Sequence, residues 1–167
     1  DAAAKWFGKA AEDVGLKGRV DDAHFTELLE GHAPNGQVLG RIVQGERQHR
    51  PGLDLTFSAP KGVSVVGLVF GDTRVIDAHD RAVERSMAYV EANLIQTRRQ
   101  VGSEIVTQDG GNIITGLFRH DTSRALDPQL HTHAVIANMV QGEDGKFSAI
   151  HNDKIFRTQK LASEIYR

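Results

Sequence analysis

Phe118-Arg119-His120-Asp121-Thr122-Ser123-Arg124-Ala125-Leu126-Asp127-Pro128-Gln129-Leu130-His131-Thr132-His133-Ala134-Val135-Ile136-Ala137-Asn138-Met139-Val140 is the stretch on which both the fold and the chemistry of this chain turn. It holds three of the eight histidines, His120, His131 and His133. From Leu130 to Ala137, β-branched and apolar residues entered from the turn signal Asp127-Pro128 predict a strand. Side chains alternate across a strand, so His131 and His133 project to one face. A pair so spaced can present two imidazoles to one ion. His120 closes another extended run, Ile113 to Phe118, and joins the pair if the two strands are neighbours. Three imidazoles leave coordination positions for water or substrate, which separates catalytic from closed structural metal sites. A His-x-His pair alone fits an ordinary hydrogen-bonded pair equally well; the third histidine, in a polar and turn-rich setting, favours metal.

The length, 167 residues, suits one domain with a proper core. With 40% hydrophobic and 25% charged residues the composition is that of a globular chain. The absence of cysteine excludes disulfides, thiolate ligands and thiol nucleophiles, and fits a reducing cytoplasm. No run is long enough to span a membrane, and no signal peptide is apparent. A net charge of −2 carries no global nucleic-acid signature, so DNA binding needs a local basic groove. Candidates for phosphate contacts are Arg47, Arg50, Lys61, Arg98, Arg99, Arg119 and Arg124. Arg119 and Arg124 flank His120, and Lys61 opens a helix. The start at Asp1 and the stop at Arg167 within a helical pattern suggest a single domain over 1–167 that is part of a longer polypeptide.

Residues 1–20 read as a weakly structured lead-in, in which Ala2 to Phe7 suit a short helix. Asp21 or Asp22 caps a helix from Ala23 to Glu30, stopped by Gly31. Residues 32–50 suggest an edge hairpin around Pro34-Asn35-Gly36, with Val38-Leu39 and Ile42-Val43 as strand. Leu53 to Phe57 alternates as a strand, with Asp54 and Thr56 on one face. Ser58 reads as the N-cap of a buried short helix from Gly62 to Phe70, a segment whose β-branched content also suits a strand. The longest helical pattern runs from about Thr73 to Leu94, with His79 in a packing or surface role. Ile95 to Val101 is strand. Glu104 to Thr107 is expected to pair, through a turn at Asp109-Gly110-Gly111, with Asn112 to Phe118. The histidine strand is expected to pair with Lys146 to Ile150. A last helix, about Asn152 to Arg167, turns Ile155, Phe156, Ala162, Ile165 and Tyr166 inward. Hairpins with segregated helices predict an α+β fold built on a largely antiparallel sheet.

Several segments together resemble the relaxases of conjugative plasmids, of the MobF mobilisation class within the HUH endonucleases. They are Leu53-Asp54-Leu55-Thr56-Phe57-Ser58-Ala59-Pro60-Lys61, Ala78-His79-Asp80-Arg81-Ala82-Val83, Phe118 to Arg124, and Asp127 to Val135 with Asn138. The resemblance implies a five-stranded antiparallel, palm-like sheet carrying a divalent ion held by His120, His131 and His133. It implies Asp54 as the catalytic-site aspartate, steadying a ligand histidine or assisting deprotonation of a tyrosine. In the family that tyrosine nicks one DNA strand at the transfer origin, leaving a 5′-phosphotyrosyl link. It lies upstream of what Asp1 to Leu16 matches, and neither Tyr89 nor Tyr166 stands in its place. The family works with magnesium or manganese in cells, whereas three imidazoles suit zinc, nickel or cobalt. Single-stranded transfer-origin DNA, relaxosome accessory proteins and a type IV secretion coupling protein are the implied partners. The residues leave two other readings open: a DNA- and metal-binding module without catalysis, and an unrelated three-histidine hydrolase or oxygenase.

Overall fold

The computed structural model describes residues 4–151 and 155–167, without the side chains of Ile155 and Phe156. The expectations for Ala2 and Ala3, for the start of the last helix at Asn152, and for the inward packing of Ile155 and Phe156 lie outside the described residues.

In chain order the elements are β1 (Ala4–Phe7), α1 (Lys9–Asp13), α2 (Asp22–Leu29), β2 (Arg41–Val43), β3 (Glu46–Gln48), β4 (Gly52–Ser58), α3 (Lys61–Ser64), α4 (Thr73–Tyr89), β5 (Gln96–Val101), β6 (Glu104–Asp109), β7 (Asn112–Thr122), β8 (Pro128–Gln141), β9 (Phe147–Ser148) and α5 (Ile155–Tyr166). Single π-helical segments, Val65–Val69 and Val90–Leu94, extend α3 and α4. The main sheet has five strands in the order β1-β7-β8-β4, with β9 also on β8. All of its pairings are antiparallel. The α+β, five-stranded antiparallel expectation holds.

Alternation along these strands creates two faces with different coverings. On one, Leu55, Phe57, Leu117, Ala134 and Ile136 pack against Val83, Met87 and Val90 of the α4 unit and Ala162 of α5. We call this the back. On the front, Ile114, Ala137 and Met139 are covered by Ala10 and Ala11 of α1 and Leu28 of α2. That covering spans only one end of the front face. The other end, where β7 and β8 carry the histidines, is half-buried to exposed.

β4 is an edge strand, and a side chain closes part of that edge. The Gln159 amide of α5 donates to the Thr56 carbonyl (3.3 Å) and accepts from the Thr56 N–H (3.1 Å), as a neighbouring strand would. Asn138, near the end of β8, ties the segments beside it. Its amide donates to the Arg50 carbonyl at 3.1 Å and its oxygen accepts from the Ile150 N–H at 2.7 Å.

Several local expectations need correction. Ala4 to Phe7 is not helical but the strand β1, paired with Phe118 to Thr115 of β7. An edge partner outweighs the helical preference of alanine in so short a run. The helix starts only after Gly8, whose φ of 118° belongs to glycine. A Cβ there would lie 2.1 Å from the Ile113 carbonyl oxygen. The expected turn at Pro34-Asn35-Gly36 is present, with Gly36 N–H bonded to the Ala33 carbonyl, but its flanks meet only in an isolated bridge of Val38 to His32. The paired hairpin in 32–50 is a second one, turning at Gln44-Gly45 and joining β2 to β3. β6 does not pair with β7. It pairs with β5 as a separate ribbon, because Gly110 N–H bonds back to the Ile95 carbonyl and Gly111 N–H to that of Glu91, turning the chain before β7 begins. Pro60, not Ser58, occupies the N-cap of α3, with no side-chain cap bond. The helix that follows is not buried, since Val69 is 59% and Phe70 77% exposed. The expectation for α2 holds: Asp21 caps it by accepting from Ala23 N–H at 3.0 Å.

Candidate metal centre

The register of β7 and β8 brings the histidines together. His120 stands directly opposite His131, and His133 stands opposite Phe118 on one side and Thr56 on the other. All three therefore project from the open end of the front face. Their ring centres are 5.3 Å (His120–His131), 5.5 Å (His120–His133) and 5.2 Å (His131–His133) apart. Imidazoles bound through nitrogen at about 2.1 Å to one tetrahedral ion have ring centres about 5 Å apart. The spacing matches that. The orientation is looser, since the His120 ring stacks on His131 with 22° between the planes. Among the described residues no group of three or more His, Asp or Glu side chains is posed to hold an ion as it stands. The rings are gathered without being closed on one point.

Hydrogen bonds fix two of the three tautomers. The His131 Nδ1 lies 3.1 Å from the Gln129 carbonyl oxygen, which only accepts, so Nδ1 carries the proton. The His133 Nδ1 lies 3.1 and 3.2 Å from the two Asp54 carboxylate oxygens and donates to them. In the neutral form of each ring, Nε2 is then the nitrogen without a hydrogen, free to ligate. This is how ligand histidines are commonly prepared, with an oxygen acceptor behind each ring. Burial, followed by repulsion from His131 and His133, lowers the pKa of His120, which favours its neutral, ligating form. Three gathered imidazoles, one of them backed by a carboxylate, fit a divalent ion.

Asp54 reaches His133 because both are on the front face of neighbouring strands, Asp54 being opposite Val135. Its side chain is half exposed. Thr56, one pleat along, adds a second contact to the same Nδ1 at 3.3 Å. Thr56 is a site residue that sequence reasoning did not single out, although its place beside Asp54 on one face was visible. Arg19 is another. It lines, with His120 and Arg119, a cleft of about 460 Å³ at the β1 edge. No local pattern marks Arg19, which comes there through a single bridge to Lys5.

The proposed phosphate-contacting residues separate. Arg124 is exposed in the loop joining β7 to β8, at the histidine end of the sheet, and Lys61 is exposed at the start of α3, just after the Ser58 that faces His131. Arg119 is turned by alternation to the opposite face from His120. There it donates to Asp80 of α4 at 2.8 Å. Arg47 and Arg98 belong to the two ribbons outside the main sheet. Arg99 is engaged with the Val140 carbonyl at 3.4 Å, and Arg50 is exposed before β4. Tyr89 is 46% exposed on α4. Tyr166 bonds His79 behind the sheet at 2.6 Å, on the face away from the three histidines. No helix is long and apolar enough to cross a membrane among the described residues.

Comparison with known proteins bears on this arrangement. Residues 1–167 match the family described as TrwC relaxase. The chain is 48% identical over 154 residues to the multifunctional conjugation protein TraI of Escherichia coli strain K12, covering 92% of this chain and 9% of that protein. A solved structure of the conjugative relaxase TrwC in complex with oriT DNA, metal-bound, superposes with a TM-score of 0.88 at 45% identity, covering 99% of this chain and 57% of the other. The copper-bound form of that complex gives 0.87 at 46% identity, covering 98% of this chain and 56% of the other. The chain thus spans under a tenth of TraI and little more than half of the TrwC chain.

Proposed function

The chain belongs to the TrwC relaxase family, and from that membership we propose that it forms the ion-binding part of an enzyme that nicks one DNA strand at a plasmid transfer origin to begin conjugation. The observation that carries this is the gathering of His120, His131 and His133 on an open sheet face, with Asp54 behind His133. Those three side chains are the proposed ligands. A bound divalent ion, magnesium or manganese in cells, supplies Lewis-acid polarisation of the scissile phosphate.

The remaining work falls to the protein. A tyrosine elsewhere in the whole protein attacks the phosphorus, the bond to the 3′-oxygen breaks, and the strand is left with a 5′-phosphotyrosyl link and a free 3′-hydroxyl. β1 runs into the sheet with Ala4 opposite Phe118. The start of β1 therefore lies beside the residue two places before His120. Asp54 is committed to His133 Nδ1, which supports the role of orienting that ring over the role of taking the tyrosine's proton. Lys61, Arg124 and Arg19 supply positive charge around the site for single-stranded transfer-origin DNA. Arg119, held by Asp80, contributes less to that charge than its place beside His120 implies. Partners of the whole protein include relaxosome components and a secretion coupling protein, and its place is the cytoplasm.

The test is cleavage of a single-stranded transfer-origin oligonucleotide by the full-length protein with manganese. A covalent protein–DNA adduct is expected, lost in His131→Ala. Tight oligonucleotide and ion binding with no adduct under any ion would instead identify a binding module.

A further inference from the structure

The segment Ala78-His79-Asp80-Arg81-Ala82-Val83 is left without a role by the chemistry above. On α4, His79 and Asp80 reach neighbouring strands from behind. His79 is 3% exposed, and its Nε2 lies 2.8 Å from the Thr132 hydroxyl. Asp80 accepts from Arg119 at 2.8 Å. Thr132 and Arg119 are direct register partners across β8 and β7. Thr132 is the residue between His131 and His133, and Arg119 is the residue before His120. Two consecutive residues of one helix thus grip, from the covered face, the one cross-strand pair that adjoins all three gathered histidines.

We propose that His79 and Asp80 are positioning residues that hold the β7–β8 register and strand pitch at which the three histidines share one ion. The inference rests on the ion-binding reading above. Alternation turns Thr132 away from the site, so His79 acts on the ligands only through the backbone that Thr132 shares with them. The third member of the set is Tyr166 of α5, whose hydroxyl is hydrogen-bonded to His79 Nδ1 at 2.6 Å. The ring is thus held between two hydroxyls, and when neutral it donates to one and accepts from the other. Burial lowers the His79 pKa to about 4, so the ring stays neutral at working pH and both bonds are kept. The same contact makes the orientation of the ring sensitive to where α5 sits on the sheet.

The test titrates cobalt(II) into the full-length protein and reads affinity and the visible absorption envelope, beside the thermal midpoint. His79→Leu is expected to weaken cobalt binding about tenfold, at the lower end for groups that orient ligands, and to alter the envelope. His79→Gln keeps an amide that can donate to or accept from the Thr132 hydroxyl and is expected to restore both to near the unaltered protein. Asp80→Asn is expected to act in the same direction as His79→Leu and more weakly. A merely structural role would lower the thermal midpoint in these variants while leaving the envelope of the bound ion unchanged, and that result overturns the inference. Should His79→Leu fail to fold, Asp80→Asn and His79→Gln decide on the same readouts. His131→Ala separates the two levels. If it binds cobalt as the unaltered protein does, the site itself is wrong. If it loses binding while Asp80→Asn and His79→Leu keep native affinity and absorption, only the positioning role is wrong.

Discussion

Replacing Asp54 with alanine tests how the ring of His133 is held. The Asp54 side chain is 51% exposed and that of His133 34%, so their contact contributes about 0–1 kcal/mol to folding. Stability should therefore hardly change. Ion affinity should change more, because loss of a carboxylate behind a ligand histidine typically costs about 10- to 100-fold. Thr56 places the expectation at the lower end. Its hydroxyl already lies 3.3 Å from the same Nδ1 and remains as an acceptor when Asp54 is gone. Asp54→Ala is thus expected to weaken manganese binding about tenfold, or about 1.4 kcal/mol. Removing the threonine hydroxyl as well, in Asp54→Ala/Thr56→Val, should weaken it about 100-fold. Isothermal titration of the full-length protein measures both, with denaturant midpoints as the control. Native affinity in the double variant would refute the claim that these oxygens set the ring's tautomer for metal binding.

Other outcomes follow from the same geometry. His79 has a pKa of about 4 in the fold against an ordinary 6.5, chiefly through burial; Asp80 and Asp121 oppose the shift while Arg119 and His131 reinforce it. The unfolded chain therefore binds the proton first, and the stability this group contributes is full above pH 6.5 and falls away toward pH 4, by at most about 3 kcal/mol. Urea midpoints across that window should slope less in His79→Gln than in the unaltered protein, and parallel slopes would contradict the assignment. Gly8→Ala should destabilise by about 3 kcal/mol, because the new methyl meets the Ile113 carbonyl oxygen at 2.1 Å on a backbone with φ of 118°. Gly15→Ala, with a φ of 82° and nothing within 4 Å, should cost about 1 kcal/mol by the same chemical-denaturation assay. Lys61→Ala and Arg124→Ala should each lower the salt dependence of single-stranded DNA binding by about 0.7 of a counterion, measured by fluorescence anisotropy, with little loss of stability.

The parts of this molecule that obey a local period were legible before any coordinates. His131 and His133 share a face because strands repeat every two residues, and Asp54 and Thr56 share one for the same reason. Asp21 announced α2 by its own chemistry. What no period carries is register. That His120 stands opposite His131 depends on the pairing of β7 with β8, and the motif resemblance supplied it. Alternation also ran against the reading of Arg119: adjacency to His120 in sequence means the opposite face in a strand. β1 was missed because four residues beginning with alanine hold no period long enough to read. β6 was given to β7 because the glycines between them look like a hairpin turn. Their backbone bonds go instead to Ile95 and Glu91. Thr56 and Gln159 lie far apart in the chain, and nothing local in either announces the contact.

That contact between Gln159 and Thr56 has a consequence for how the protein behaves among copies of itself. A bare strand margin is an invitation to any other chain with a free strand, and such unions stack without limit. Here one amide, fitted to a single peptide unit, withdraws the invitation beside the very strand that carries Asp54. A second chain seeking to pair along this border therefore finds the Thr56 peptide already engaged.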